Sequence, residues 1–213
     1  MNSLTAQHTK EMFIYVGERI IESKPLLTEL DSAIGDGDHG TGMALGFSTA
    51  SKNLNEKEWS TINEIFKTIG MSMITTMGGA SGVIFGTMFI GGVKNESTIE
   101  ELTLVRLASI MQNSLQAVKD RGKASLGDKT MIDALEPAVV ALMEASNNST
   151  SLLDGLRAAE ERAKDGVENT KNYISKFGRS KTLGERSIGY QDAGATSVWI
   201  IFRSMREWLE NAS

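Results

Sequence analysis

Apolar residues spaced three and four apart run through almost the whole chain. In "MFIYVGERII" (12–21) and "LTLVRLASIMQNSLQAV" (102–118) they place an apolar stripe along one face of a helix. Period-two alternation, the mark of a half-buried strand, is hard to find anywhere. Only two prolines, Pro25 and Pro137, interrupt the pattern, so the predicted class is all-α. The predicted helices lie at roughly 4–23, 40–54, 58–76, 80–91, 99–119, 130–146, 151–175 and 193–211, with ends placed to about two to four residues. Thr98 with Glu101 forms a capping box ahead of Leu102 to Val118, and Ser149 to Ser151 caps the segment that continues through Asn169. Helices of this kind pack as a bundle. A chain of 213 residues can bury one substantial core, and one unit over residues 1–213 is expected.

The balance of charge narrows the function. A formal net charge of −5 argues against a broad nucleic-acid surface, although basic residues could still line a local pocket. The absence of cysteine excludes disulfides, thiolate metal sites and cysteine nucleophiles. The N-terminal "MNSLTAQHTKEMF" lacks a basic region followed by an apolar run, so no signal peptide is read and the expected location is cytoplasmic. Thr68 to Val93 carries no charge and has Gly78, Gly82 and Gly86 at four-residue spacing, as some membrane helices do. It is diluted by seven glycines and several hydroxyl residues. The preferred reading is a buried helix, a tight glycine turn and a second buried helix, with no membrane span.

The connections are richer in chemistry than the helices. In "LDSAIGDGDHGTGMALGF" (30–47), Asp31, Asp36 and Asp38 crowd among glycines, where like charges would repel unless something positive sat between them. "GDGDHG" matches G-x-G-x-x-G formally, but no strand precedes it and two carboxylates block an approaching pyrophosphate. An EF-hand loop counted from Asp36 would put Thr41 at the glycine position and Phe47 at the bidentate Glu position, so that reading fails. A cluster of three carboxylates with open positions suits Mg2+, which is held by a few carboxylates together with substrate phosphates. The competing reading makes these aspartates helix caps and solvated turn residues. His39 could bond a phosphate, bond an aspartate or close the turn.

Three further loops add cationic and glycine-rich elements. "MGGASGVIFGT" sets Gly78 and Gly79 ahead of a helix whose N-terminus can receive a phosphate, while Gly82 and Gly86 also suit close helix packing. "DRGKASLGDKT" offers Arg121, Lys123 and Lys129, which could be a solvated charge run, but the flanking Gly122 and Gly127 and the apolar Met131 fit a pocket wall better. "GRSKTLGERSIGYQDAGATS" (178–197) reads as a long structureless loop, of the kind used as lids or binding segments, with Arg179, Lys181 and Arg186 able to face phosphates.

Taken in order, "DSAIGDGDHGTGM", "GGASG" with "FGT", "RGKASLGDKTMIDAL" and "GRSKTLGERSIGYQDAGATS" resemble the nucleotide-binding L-subunit family of bacterial dihydroxyacetone kinases. The resemblance spans Asp31 to Ser197 and implies an eight-helix antiparallel α-barrel with ADP or ATP held by loops at one end. Two Mg2+ ions on Asp31, Asp36 and Asp38 are implied. The phosphates would meet His39, Gly40, Thr41, Gly42, Ala80 and Ser81, and Gly122, Met131, Arg179, Asp192, Ala193 and Gly194 would frame the nucleotide. Arg179 would add charge stabilisation during transfer. Departures from the family are Gly42, often Asn; Ala193, often Pro; and Val83-Ile84-Phe85, often "PLY". The related N-terminal domain of fatty acid kinase typically reads D-G-D-T-G-T-N, whereas His39 and the Gly184 to Ser187 run favour the dihydroxyacetone kinase branch.

In that family the ketose sits on a separate K-type subunit, bonded covalently to a histidine, and an M-type protein of the phosphotransferase system recharges the bound nucleotide. The resemblance therefore implies half of an enzyme. Alternatives are the L subunit of an ATP-dependent kinase for another short ketose, or a nucleotide-loaded interaction subunit acting on a transcription regulator.

Overall fold

The computed structural model describes residues 2–212. Among them are nine α-helices: α1 (Ala6–Glu22), α2 (Lys24–Ile34), α3 (His39–Leu54), α4 (Ile62–Thr76), α5 (Gly79–Val93), α6 (Leu104–Gly122), α7 (Ile132–Asn147), α8 (Leu152–Thr170) and α9 (Ala193–Asn211). Two three-residue strands, β1 (Ser3–Thr5) and β2 (Glu101–Thr103), pair antiparallel. A 3-10 helix covers Arg179–Ser187. The all-α expectation holds. The expected single unit reaches residues 1 and 213, which lie outside the described residues.

Eight of the helices close a ring. Helices α1 and α3 pack together, each helix from α3 to α9 packs on the next, and α9 returns to α1. The ninth, α2, stands outside the ring and crosses the first turn of α3. At that crossing Gly40 is required, since a Cβ there would lie 2.3 Å from Thr28 Oγ1 and 2.5 Å from the Lys24 carbonyl oxygen. Helix α2 was not expected. Its sequence "KPLLTELDSAI" follows α1 after a single residue and opens with proline, which signals a break yet suits the first helical turn.

Two other expectations are corrected. Thr98 and Glu101 do not start α6; Thr103 caps it, its Oγ1 accepting from Arg106 N at 3.3 Å. Residues 101–103 pair with residues 3–5 instead, which buries Leu4 and Leu102 completely. Strands this short are invisible to a periodicity argument. Ser151 caps α8 as anticipated, accepting from Asp154 N at 3.1 Å.

The apolar stripes meet inside the ring. Phe13 of α1, Phe47 of α3, Phe66 of α4 and Phe89 of α5 are buried, and Phe13 packs edge-on against Phe66 and Phe89 at centroid distances of 5.1 and 5.8 Å. The uncharged stretch folds as anticipated: α4, then Gly78 and Gly79 at φ of 68° and 60°, then α5. Gly70 of α4 and Gly86 of α5 meet there, and a Cβ on either would lie 2.7 Å from the other's carbonyl oxygen. Among the described residues no helix is long and apolar enough to cross a membrane.

The connections after α2, α4, α6 and α8 gather at one end of the ring, where their residues line a common cleft. The opposite end is closed by the β1–β2 pair and by Asn63, whose amide brackets the chain: Oδ1 accepts from Ile99 N at 2.8 Å and Nδ2 donates to the Ser97 carbonyl at 3.1 Å.

Candidate functional site

Asp31 lies in the last turn of α2, and Asp36 and Asp38 lie in the four-residue bend before α3. Each can offer one carboxylate oxygen to a cluster in which those atoms lie within 4.8 Å of one another. The capping alternative separates the three. Asp38 occupies the cap position of α3 but its side chain makes no cap bond, whereas Asp31 Oδ2 accepts from His39 N at 3.2 Å. Although Asp38 is exposed, desolvation by its surroundings, followed by the neighbouring charges of Asp36 and Asp31, raises the pKa of its carboxyl. The cation nearest the cluster is Arg179, whose Nε lies 3.0 Å from Asp36 Oδ2 on a side chain that is 80% exposed. Such an exposed pair is weak. Three convergent acidic oxygens with so little compensating charge fit a divalent cation.

His39 closes the floor of the cleft. Its ring is buried, Nε2 shares a 2.8 Å hydrogen bond with Ser197 Oγ of α9, and Phe85 of α5 lies 5.8 Å away, centroid to centroid. Burial lowers its pKa, opposed by Asp31, which favours the neutral imidazole.

Across the cleft, α5 begins with Gly78 as its cap residue and no side-chain cap bond. Nothing lies within 4 Å of where a Cβ would stand on Gly78 or Gly79. The first turn of α5, with no side-chain cap on its N–H groups, lines the same cleft as the aspartates, an arrangement suited to phosphate oxygens. The N-terminus of α9 differs, because Asp192 Oδ2 already accepts from Ala195 N at 2.7 Å. Burial pushes the Asp192 carboxyl up to about 7.

The cleft has a volume of about 510 Å³, within the range of small-ligand sites. It gathers Asp31, Asp36, Asp38, His39, Gly42, Ala80, Ser81, Met131, Arg179, Asp192, Ala193 and Gly194. Gly122 lines an adjoining, mostly apolar chamber with Val83, Ile84, Val118 and Ile132; Ala80, Met131 and Phe177 border both. Gly40 and Thr41 line neither: Gly40 packs against α2 and Thr41 is exposed.

Residues 33–207 match the family model described as the DAK2 domain. The chain belongs to the DAK2 domain family. Asp31 stands just before the matched segment. A relative from Listeria innocua, named PEP-dependent dihydroxyacetone kinase 1, ADP-binding subunit DhaL, is 42% identical over 189 residues, 89% of each chain. The Escherichia coli PEP-dependent dihydroxyacetone kinase ADP-binding subunit DhaL is 40% identical over 179 residues, 84% of this chain and 85% of the relative. Among solved structures, the dihydroxyacetone kinase of C. freundii in complex with AMP-PNP and Mg2+ superposes with a TM-score of 0.71 at 26% identity. That match covers 93% of this chain but only 33% of the solved one.

Two features of this DAK2 domain escaped the sequence reading. The first is Asp133, 1% exposed, whose carboxylate accepts from Gly127 N at 2.5 Å and Thr130 N at 2.7 Å and so shapes the α6–α7 connection. Its signal was Thr130-x-x-Asp133 ahead of an apolar run, a capping pattern. The second is the order of residues 178–192, within the 178–197 stretch read as structureless, and of 171–175, which were expected to continue α8 but lie beyond its end at Thr170. Gly189 N donates to the Lys171 carbonyl at 2.7 Å, Ser175 N to Ser187 Oγ at 3.0 Å and Ser187 Oγ to the Gly184 carbonyl at 2.7 Å. Serine hydroxyls replace the regular ladder there, and single-sequence patterns do not show such bonds.

Proposed function

We propose that this chain is the nucleotide-bearing subunit of a dihydroxyacetone kinase, holding ADP or ATP with Mg2+ in the cleft and passing a phosphoryl group to a ketose carried by a separate K-type subunit. The observation that carries the proposal is the placing of three convergent carboxylates opposite the open glycine start of α5. Asp31, Asp36 and Asp38 would hold the metal, two ions by the family pattern. The metal supplies charge neutralisation between the phosphates and the acidic loop. The first turn of α5, at Ala80 and Ser81, would take phosphate oxygens, and Met131 and Gly122 would face the base from the apolar chamber. Arg179, freely exposed at the rim, would add positive charge where transfer occurs. The chain would act as one unit, since the ring of helices, its connections and α2 together carry the walls of the cleft.

The half-enzyme reading has its own support. Covalent capture of a ketone needs a free nucleophile in the cleft, and neither histidine offers one. His39 Nε2 is engaged with Ser197, and His8 sits in the first turn of α1, which adjoins the β1–β2 end. The expected result is that the purified chain with ATP, Mg2+ and dihydroxyacetone forms no phosphorylated sugar, and that a K-type subunit restores transfer. Sustained turnover by this chain alone would place a sugar site within these helices and overturn the division of labour. A phosphotransferase-type M protein is the proposed source of recharging, and a cytoplasmic location is proposed with it. Exchange of bound ADP against labelled ATP separates that route from an ATP-dependent one.

Nucleotide loading should also register in stability. Ligand at about a hundred times its Kd adds roughly 2.7 kcal/mol to the folded state. For a domain of this size that raises Tm by roughly 5–11 °C. Mg-ADP is expected to give this shift and EDTA to remove it, measured by scanning fluorimetry. A Tm indifferent to both would leave the carboxylate cluster as a solvated turn.

A further inference from the structure

Residues 171–192 bring Gly178 and Arg179 to the cleft and end on Asp192, the cap of α9. The contacts within this segment fold it on itself, and partway along it Lys176 N donates to the Asp128 carbonyl at 3.2 Å, which leaves its two ends to be held. That task falls to Lys129, in the α6–α7 connection. Its side chain is 1% exposed, and lysine is among the residues least often buried so fully. Its Nζ donates to the carbonyl of Thr170, the last residue of α8, at 2.6 Å, and also to the carbonyl of Tyr190. These two carbonyls are the two roots of the segment. Thr170 adds a third tie, its Oγ1 accepting from Asp192 N at 3.0 Å.

The backbone strengthens the case. Lys129 has φ of 59°, in the left-handed region where glycine or asparagine would be at less cost. A fully buried cation in a disfavoured conformation persists where its charge and donors are what the surroundings need. Asp192 and Asp133 are the acidic groups that act on the ammonium. Lys176 makes a contrasting tie: its Nζ lies 2.6 Å from Asp128 Oδ1, but its side chain is 63% exposed, so its net contribution is small.

We propose that Lys129 is a positioning residue, whose ammonium clamps both roots of the 171–192 segment to the α6–α7 connection and so sets where Arg179 and the start of α9 face the cleft. The clamp itself stands on the nucleotide-free geometry; its effect on nucleotide rests on the function proposed above.

The test compares Lys129→Met, which keeps length and apolar bulk, with Lys129→Arg, which keeps charge and donors, and with Lys176→Met. Hydrogen exchange of the nucleotide-free full chain reads the clamp, and calorimetry with Mg-ADP reads its consequence. In Lys129→Met, peptides covering 171–192 are expected to exchange about tenfold faster or more while those from α3 to α5 keep their protection. Mg-ADP affinity is expected to fall by about tenfold, since the walls that meet the ligand are no longer held in place. Lys129→Arg recovers part of the lost protection, and Lys176→Met changes both readouts by less than about twofold. Unchanged exchange in 171–192, a uniform rise across the barrel, or failure of both Lys129 variants to fold would each assign Lys129 to general stability and overturn the proposal. If the segment loosens as expected but the parent chain itself binds no Mg-ADP, the clamp stands and the nucleotide reading falls.

Discussion

Asp38→Asn is expected to weaken Mg-ADP binding by about a hundredfold or more, because it removes one of three anionic oxygens from the proposed metal site. The same change should leave the metal-free protein at least as stable as the parent. The opposite signs come from the geometry. The three carboxylate oxygens lie within 4.8 Å of one another, and Asp38 makes no cap bond for α3 that asparagine would lose. Without a cation the cluster repels itself, and a neutral isostere relieves that repulsion. With a cation the lost charge is the dominant effect. Asp36→Asn should behave similarly, offset by its loss of the exposed Arg179 pair. Calorimetry with Mg-ADP and melting in EDTA check the two halves separately. A variant that binds Mg-ADP like the parent makes Asp38 a turn residue; one that melts well below the parent in EDTA makes it structural.

Gly166→Ala is expected to destabilise the fold by about 3 kcal/mol, the upper part of the range for overpacking a tight contact. For a chain of this size that corresponds to a fall in Tm of roughly 6–12 °C. A Cβ at Gly166 would stand 2.0 Å from the Asp133 carbonyl oxygen and 2.9 Å from the Ala134 Cα. Both neighbours are backbone, so no side chain can swing aside. The carbonyl is approachable because Pro137, four residues on in α7, has no N–H to donate to it. Helix α8 comes in over that gap, and α7 and α8 share the most extensive helix–helix contact in the ring. Any retreat of α7 also moves Asp133, which holds Gly127 N and Thr130 N beside the cleft. Urea denaturation checks the size of the effect. An unchanged midpoint would mean that the two helices have slack this packing does not show.

The aspartate cluster was legible because its members lie within eight positions of one another, and a crowd of like charges in a glycine-rich turn has few structural uses. The glycine start of α5 was legible for a similar reason. The remaining cleft walls were harder. Lys129 read as part of a pocket wall along with Arg121 and Lys123, with nothing to single it out, and its partners Thr170 and Tyr190 are 41 and 61 positions away. Nothing in "GDKT" says that its lysine turns inward. Gly40, placed with the phosphate contacts, instead lets α2 cross α3, a helix that the proline at position 25 concealed.

What the sequence determined by itself is local. The spacing of apolar residues set the helices, hydroxyl residues such as Ser151 set a start, and the four connections each announced their chemistry through residues close together in the chain. What only the tertiary structure decided is closure: that α9 returns to α1, that the connections after α2, α4, α6 and α8 meet at one end, and that a buried lysine fastens the last of them. The physical reason is that helix formation depends on neighbours three and four residues apart, whereas closure depends on which carbonyls and glycines come within a few ångströms across a packed core.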